Sequence, residues 1–493
     1  FLLDVPMPQH AQGRVRLDLL RGGERWQPVN IIGLNDFHGQ LDPTSTSMDG
    51  RNVSVGGAAY LATMFDQEAA QLPGDTLLLA AGDNVGASPA NSGLLEDRPA
   101  IEVENAWGLD ATSFGNHEFD FGLEVLRARI DQADYPYLSA NLRLSADGSV
   151  PTELGIQPYT IQEAAGRKVG IIGLSATYTP LVANPAYLTE FEFIDYEDAL
   201  REFVPQMRQE GAEIILVIAH LCADELELLA LQVADLGIAM LGGGHCHFAY
   251  ANQSGETAIL ASAPELGGYA FATLSFDPAN GQTSVLDYGV EAHQGGTPNP
   301  AVAQIVAAWQ ALADEELNVE IGYLLETVPE DSQPMQDLIT ESWLWAYPNA
   351  DIALTNLGGM RDQIPAGEVT IAEVISVLPF NNVIIEVHLT GAQVISVLAT
   401  GRDSLAIGGM HRQGGGWVLE KTGAALEADQ LYSVLVNDYM YAGGDGYTLL
   451  AEADPAAYQT GIDWRQPVID WILAQESSPD APLDAAIATL EDN

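Results

Sequence analysis

Short apolar runs recur along the chain, separated by polar or glycine-rich turns and by stretches of helical periodicity. The runs Val29 to Leu34, Thr76 to Ala81, Val169 to Leu174, Ile214 to Ala219 and Ile238 to Leu241 are rich in β-branched and other apolar residues. Their length and apolar continuity predict strands covered on both faces. Alternation of such strands with helices predicts an α/β fold, in which ligands gather at the carboxyl ends of the strands.

The texture changes near residues 285–300. The segment His293-Gln294-Gly295-Gly296-Thr297-Pro298-Asn299-Pro300 has linker composition, and a helical stretch follows from Ala301 to about Val319. A second α/β pattern then runs from about 320 to 475. The expected division is a first domain over 28–292, a linker and connecting helix over 293–320, and a second, smaller α/β domain over 321–476. The tail after Ser477 is acidic, contains proline and ends in a short helical pattern; it suggests no function.

Composition narrows the partners. Lys plus Arg number 18 against 69 Asp plus Glu, a net charge of −51, and Lys168 and Lys421 are the only lysines. Such a surface repels polyanions and excludes long duplex nucleic acid, while a small anionic substrate needs local metals or arginines. The acidity fits salt adaptation or an ordinary acidic extracellular protein. No run of about 18 apolar residues predicts a transmembrane helix. The chain starts at Phe1 without a charged leader, so the expectation is a signal peptide removed or left out and a secreted, periplasmic or cell-surface location. Two cysteines, Cys222 and Cys246, are too few for a disulfide framework. They are expected to be buried, unreactive thiols, with a mutual disulfide or thiolate ligation as lesser alternatives.

Five short motifs follow predicted strands: Leu34-Asn35-Asp36-Phe37-His38-Gly39, Ala81-Gly82-Asp83-Asn84, Phe114-Gly115-Asn116-His117-Glu118-Phe119-Asp120, Ile218-Ala219-His220, and Gly242-Gly243-Gly244-His245-Cys246-His247. Asp36 and His38 are two apart, as are His245 and His247, so on a strand each pair projects together, and past the strand end Asp36 and His38 can pinch one ion. Gly82 is expected to keep Asp83 uncrowded and able to bridge two ions, and Asn116 offers a neutral carbonyl ligand. Imidazole with carboxylate suits zinc, manganese, iron or cobalt. A lone histidine after a strand is ordinarily structural, but here five of the nine histidines fall in these motifs.

These motifs resemble the calcineurin-like metallophosphoesterase set, and Gly-Asn-His-Glu-Phe-Asp resembles the 5'-nucleotidase, UDP-sugar hydrolase and cyclic-nucleotide phosphodiesterase branch. The resemblance implies an N-terminal four-layer αββα sandwich and a smaller C-terminal α/β substrate-binding domain. It implies two divalent metals, one on Asp36, His38, Asp83 and His247, the other on Asp83, Asn116, His220 and His245, with a hydroxide between them as nucleophile. His117 would stabilise the transition state or protonate the leaving oxygen, with Asp120 fixing its tautomer. Glu118 is expected to be structural or solvated.

The C-terminal segments Thr355 to Arg361, Val377 to Asn382 and Tyr439 to Gly446 resemble the same family's substrate motifs. The resemblance implies that Asn356 and Arg361 hold base or phosphate, that Phe380 and Tyr439 stack on the base with Asn382 also in the substrate site, and that Asp445 meets ribose hydroxyls. Tyr439 stands where Phe is usual. One departure is the stretch Glu330 to Leu338, which has no arginine where the family usually carries one; Arg402 or Arg412 is the expected compensation. A weaker phosphate clamp shifts the expectation from AMP toward diesters or less charged esters. The first reading is therefore a metal-dependent hydrolase of nucleotides or related small phosphoesters. The alternatives are a hydrolase of another ester on the same site (a phosphodiester, a diphosphate sugar or a sulfur-oxyanion conjugate) and a binding protein on a weak hydrolase scaffold.

Overall fold

The structure, a computed structural model, describes residues 28–491 apart from 49–50, 73, 264–265, 293–295, 331 and 402–403, together with two short strands at 20–21 and 24–25. The first three linker residues, Asp331 and Arg402 thus lie outside the described residues.

Two six-stranded sheets form the N-terminal half. In the first, Val29–Leu34, Asp75–Ala80, Ala111–Ser113 and Tyr137–Leu138 run parallel, and Gly268–Asp277 and Gln282–Ala292 close one edge antiparallel. In the second, Arg167–Leu174, Ile214–Ala219, Met240–Gly243 and Thr257–Ala261 run parallel. The period-2 geometry of a strand sorts their side chains. Val29, Ile31, Leu77 and Leu79 meet Ile214, Leu216 and Ile218 in a core between the sheets. Ile32, Leu34, Leu78 and Ala80 face the helices Ala58–Gln71 and Arg98–Trp107 on one outer side. Ile215, Val217 and Ala219 face Tyr196–Gln209 and Ala223–Gln232 on the other. Four layers result, helix, sheet, sheet, helix, and the apolar continuity of the strand sequences follows from burial on both faces. The expected strands are all present, shifted by up to two residues: the run at Ile238 enters its sheet only at Met240.

The helix Pro300–Leu317 starts on proline, with Asn299 capping the amides of Ala301 and Val302. It packs on Ala58–Gln71 and Arg98–Trp107, so this connector is built onto the N-terminal half. Beyond it, a five-stranded sheet orders Leu405–Gly408, Ile352–Asn356, Leu431–Asn437, Val383–Thr390 and Tyr458–Asp463. One face packs on Gln333–Ala346 and Gln466–Ala474, the other on Gly391–Gly401. The acidic tail forms the helix Asp484–Glu491, and Leu483 and Ile487 enter the first of these cores.

Among the described residues the halves meet at several places. Ala90 joins Ala313, Leu317 and Ile375 in a small apolar cluster, and Thr179–Val182 packs on Gly444–Gly446. Between these two contacts lies a cavity.

Candidate metal centre and substrate cavity

Each of the five motifs sits where its strand ends, so the chain turns sharply just as it delivers a polar side chain. Asp36, His38, Asp83, His245 and His247 all have φ between 48 and 71°. The left-handed region is unfavourable for residues with a Cβ, by roughly 1–2 kcal/mol each, and tolerated where the surroundings fix it. The juxtaposition of Asp36 with His38 therefore comes from a turn, not from a shared strand face as their spacing suggested. His245 and His247 likewise part company. Asp36, His38 and His247 form one triad, and Asp83, His220 and His245 another, each with ligand-type atoms within 4.8 Å of one another.

Asp83 stands between the triads. Its Oδ2 is 2.9 Å from His220 Nε2 and 3.9 Å from His38 Nε2. The glycine that leaves it room is Gly115, where an added Cβ would fall 2.0 Å from Asp83 Oδ1; at Gly82 the clash would instead be with the backbone of Gly115. Glu118, read as structural or solvated, is buried and structural. It accepts from the amides of Asp83, Asn84 and Gly115 and so ties two of the motif loops together. Burial, with the charge of Asp83 beside it, pushes Glu118 up to about 7.

Hydrogen bonds fix the histidine tautomers. Nδ1 of His38 lies 2.9 Å from the Gly86 carbonyl, and Nδ1 of His220 lies 2.9 Å from the Ala81 carbonyl. A carbonyl only accepts, so each Nδ1 carries a proton and each Nε2 is the ring atom turned toward the centre. Burial pushes His38 down to about 3 and His245, with His220 next to it, down to about 4. Burial also opposes charge on His220, but contact with Asp83 outweighs it and lifts the group to about 10. Asp83 itself is held well below the usual carboxylate range, since His220 and His117 outweigh its burial. Asn35, which no sequence signal singled out, donates to Asp36 Oδ2 at 2.6 Å and accepts from Ser262.

These residues fit a pair of divalent ions. Asn116 Oδ1 and His220 Nε2 are buried and make no hydrogen bond, although Asp83 Oδ2 is close to the latter. His38 Nε2 and His247 Nε2 face one another at 3.3 Å, and two nitrogens about 2.0–2.1 Å from one ion at a tetrahedral angle stand roughly that far apart. Imidazoles, carboxylates and one amide carbonyl make a donor set for a borderline metal.

Beside this floor, His117 Nδ1 is 2.8 Å from Asp120 Oδ2, and the His117 amide donates to Asp83 Oδ1 at 2.9 Å. Burial opposes the imidazolium, but Asp120 and Asp83 favour it more, and the His117 pKa is raised. A cavity of about 210 Å³ opens above. His117, Asp120, Asn116 and His245 line it from the N-terminal half, and Asn356, Arg361, Phe380, Asn382, Tyr439 and Asp445 line it from the C-terminal half. The distant C-terminal motifs are thus brought to the same space as the strand-end motifs. Phe380 stacks on His117, ring centroids 5.8 Å apart and planes inclined by 19°. Tyr439 Oη lies 2.9 Å from Asp445 Oδ1 and 3.2 Å from the Leu181 carbonyl of the other half. Asn382 donates to Asp438 at 2.6 Å. Asn184, Tyr187 and Asn381 also line the cavity; the first two lie on a loop without motif or periodicity, and only the fold brings them there.

Of the two arginines expected to compensate, Arg402 lies outside the described residues and Arg412 does not reach the cavity: its guanidinium lies over the exposed hairpin's Trp417, 4.6 Å from the ring centroid. Arg361 is the one arginine lining the cavity among the described residues. Cys222 and Cys246 are not buried thiols but a disulfide. Adjacent strand ends bring two loops, far apart in sequence, within bridging distance, with Cα atoms 5.3 Å apart.

Residues 320–452 match the protein family described as "5'-nucleotidase, C-terminal domain". The chain carries a 5'-nucleotidase C-terminal domain. The resemblance drawn from its motifs is borne out beyond that domain as well. A 5'-nucleotidase of Vibrio cholerae is 24% identical over 90% of this chain and 90% of its own length. A cell wall protein of Listeria monocytogenes is 26% identical over 87% of this chain, and the match spans 65% of that protein, less than two thirds of it. Among solved structures, a 5'-nucleotidase precursor of Thermus thermophilus superposes with a TM-score of 0.77 over 92% of this chain and 97% of that one, at 24% identity. The two-domain α/β fold of the 5'-nucleotidases is therefore the fold of this chain.

Proposed function

We propose that the chain is a metal-dependent hydrolase of small phosphate esters, with nucleotides and their conjugates as the first substrate class. The observation that carries this reading is the shared cavity. It is lined on one side by the His117–Asp120 pair, by Asn116 and by His245 of one metal-competent triad, and on the other by an arginine, an aromatic pair and the Asp445 carboxylate.

Asp36, His38 and His247 would hold one ion, and His220, His245 and Asn116 the other, with Asp83 reaching both. When bound, the two ions supply Lewis acidity to the phosphoryl group and to the attacking water. The chain's own groups do the rest. Asp120 holds the proton on His117 Nδ1, so His117 Nε2 is the atom that exchanges a proton with the leaving oxygen or donates to the charge developing there. Arg361 grips phosphate oxygens, and Phe380 and Tyr439 offer flat faces to a base. Arg361 is the one arginine at the cavity among the described residues and stands among carboxylates, which favours an ester of lower charge, so phosphodiesters and diphosphate sugars rank above AMP. A disulfide beside the site favours an extracytoplasmic location. The domain limits 28–292 and 321–476 belong to the same reading.

A panel of AMP, a UDP-sugar, a 2',3'-cyclic nucleotide, a chromogenic phosphodiester and a sulfur-oxyanion conjugate, assayed with ions restored after chelation, tests it. Turnover of a phosphoester that chelation abolishes is expected. No phosphoester turnover with both ions bound would sink the proposal, and selective turnover of the sulfur conjugate would replace it.

A further inference from the structure

Three of the seven residues assigned above to the metals lie within two positions of the Cys222–Cys246 disulfide: His220 before Cys222, and His245 and His247 on either side of Cys246. The two ends of this bridge are held very differently. Cys222 caps the helix Ala223–Gln232, its amide donates to Glu225, and Leu226 and Leu229 anchor that helix in the core. Cys246 sits on a loop with little holding it. His245 and His247 on that loop have φ of 71 and 53°, Cys246 is exposed, and Phe248 next along is 75% exposed. The loop's backbone amides make few ties: Gly244 to Leu221, Cys246 to Gly244, and His245 to the Asp36 carboxylate.

We infer that this disulfide is a positioning element for the metal centre, tethering the loop that carries His245 and His247 to the rigid start of the helix behind His220. The inference rests on the proposed function, since it assumes that these histidines ligate. The strained backbone is the reason a tether matters. Two non-glycine residues in the left-handed region relax toward ordinary conformations when nothing restrains them, and each relaxation swings an imidazole away from its triad. The bridge also makes the site sensitive to thiols. A dithiol reductant attacks the exposed Cys246 sulfur through its thiolate and forms a mixed disulfide as the Cys222 sulfur leaves. Its second thiol then displaces Cys246, so that two electrons and two protons pass to the protein as two cysteine thiols and the reductant closes to its own disulfide. The reduced protein keeps its fold and loses grip on its ions.

The test uses the full chain, stripped of metal and desalted, in three forms: oxidised, reduced by a dithiol that is then removed, and the Cys222→Ala, Cys246→Ala double variant. The probe is manganese alone, because a hard ion does not seek out free thiolates as zinc does. Affinity for manganese is expected to fall about 10–100-fold in the reduced protein and the double variant, the range for losing a group that orients a metal ligand. Hydrogen exchange over residues 244–250 of the metal-free protein is expected to quicken in both, and reoxidation restores the reduced form alone. Equal affinity and equal exchange in all three forms overturn the inference. Global unfolding on reduction and in the variant overturns it too, since the bridge is then a staple of the whole domain. If the oxidised protein binds no manganese, the proposed function falls first, while the exchange measurement still reports whether the loop is tethered.

Discussion

The metal-centre floor and the wall of the adjoining cavity are built on opposite principles. On the floor, Asp36, His38, Asp83, Asn116 and His220 are nearly inaccessible to solvent. They come from strand ends a few ångströms apart and are locked by backbone partners such as the Gly86 and Ala81 carbonyls. On the wall, Phe380 comes from the turn before Val383–Thr390, Tyr439 and Asp445 come from the short helix and turn after Leu431–Asn437, and two of the three are engaged across the gap: Phe380 with His117, Tyr439 with the Leu181 carbonyl. The floor is organised before any ligand arrives. The wall's arrangement depends on how the two halves sit against each other, so under the proposed function a substrate would compete with the contacts between them. Preorganised charge accelerates chemistry, and a wall that can move admits and releases substrate.

The sharpest way to break this contrast is at its centre. Asp83→Ala removes the carboxylate that reaches both triads, and it is expected to abolish most metal binding and to cost more than about 10³-fold in kcat, beyond the loss of a single transition-state donor. Elemental analysis beside steady-state kinetics checks it; a variant that keeps both ions and near-normal turnover would show that the floor is not organised around Asp83. His117→Asn comes next. The group touches the wall and acts above the floor, so near-normal metal content with a loss of about 10²–10⁴-fold in rate is expected. Loss of an ion from this variant would make His117 a ligand and move the boundary between floor and wall.

The wall itself should show in KM. Phe380→Ala with Tyr439→Ala removes two stacking faces, each of which contributes about 1–3 kcal/mol in base binding. The KM for nucleotides should rise accordingly, while a small chromogenic ester, which needs the floor alone, is hydrolysed as before. Unchanged nucleotide kinetics would assign both rings to packing. The smallest effect is expected for Tyr439→Phe, which deletes one hydroxyl and its bonds to Leu181 and Asp445. One hydrogen bond is worth about 0.5–1.5 kcal/mol, or roughly twofold to tenfold in KM with kcat held. A rise in KM marks the hydroxyl as a tie between the halves; a fall means that it competes with substrate for Asp445.

The unequal legibility of the two regions has the same origin. The floor residues could be read from the chain because each follows an apolar strand by one or two positions, and parallel strands bring their carboxyl ends to one edge. What spacing could not reveal was the reason for their closeness. By spacing Asp36 and His38, like His245 and His247, were expected to project together, but left-handed turns place them; the second pair divides between the triads as the family resemblance implied. The wall was readable only through family resemblance. Phe380 and Tyr439 are ordinary half-buried aromatics by composition, Tyr187 and Asn184 carry no local signal, and Arg412 lies on a hairpin that points elsewhere.

By itself the sequence determined the alternation of buried strands and helices, the acid excess and the polar residues that end each strand, because these depend on local periodicity and side-chain chemistry. Tertiary structure alone decided that His117 stacks on Phe380, that Tyr439 reaches the Leu181 carbonyl and that Cys222 meets Cys246. Each of these contacts joins residues from 24 to 263 positions apart, and no local pattern encodes a distance that exists only after the sheets have packed.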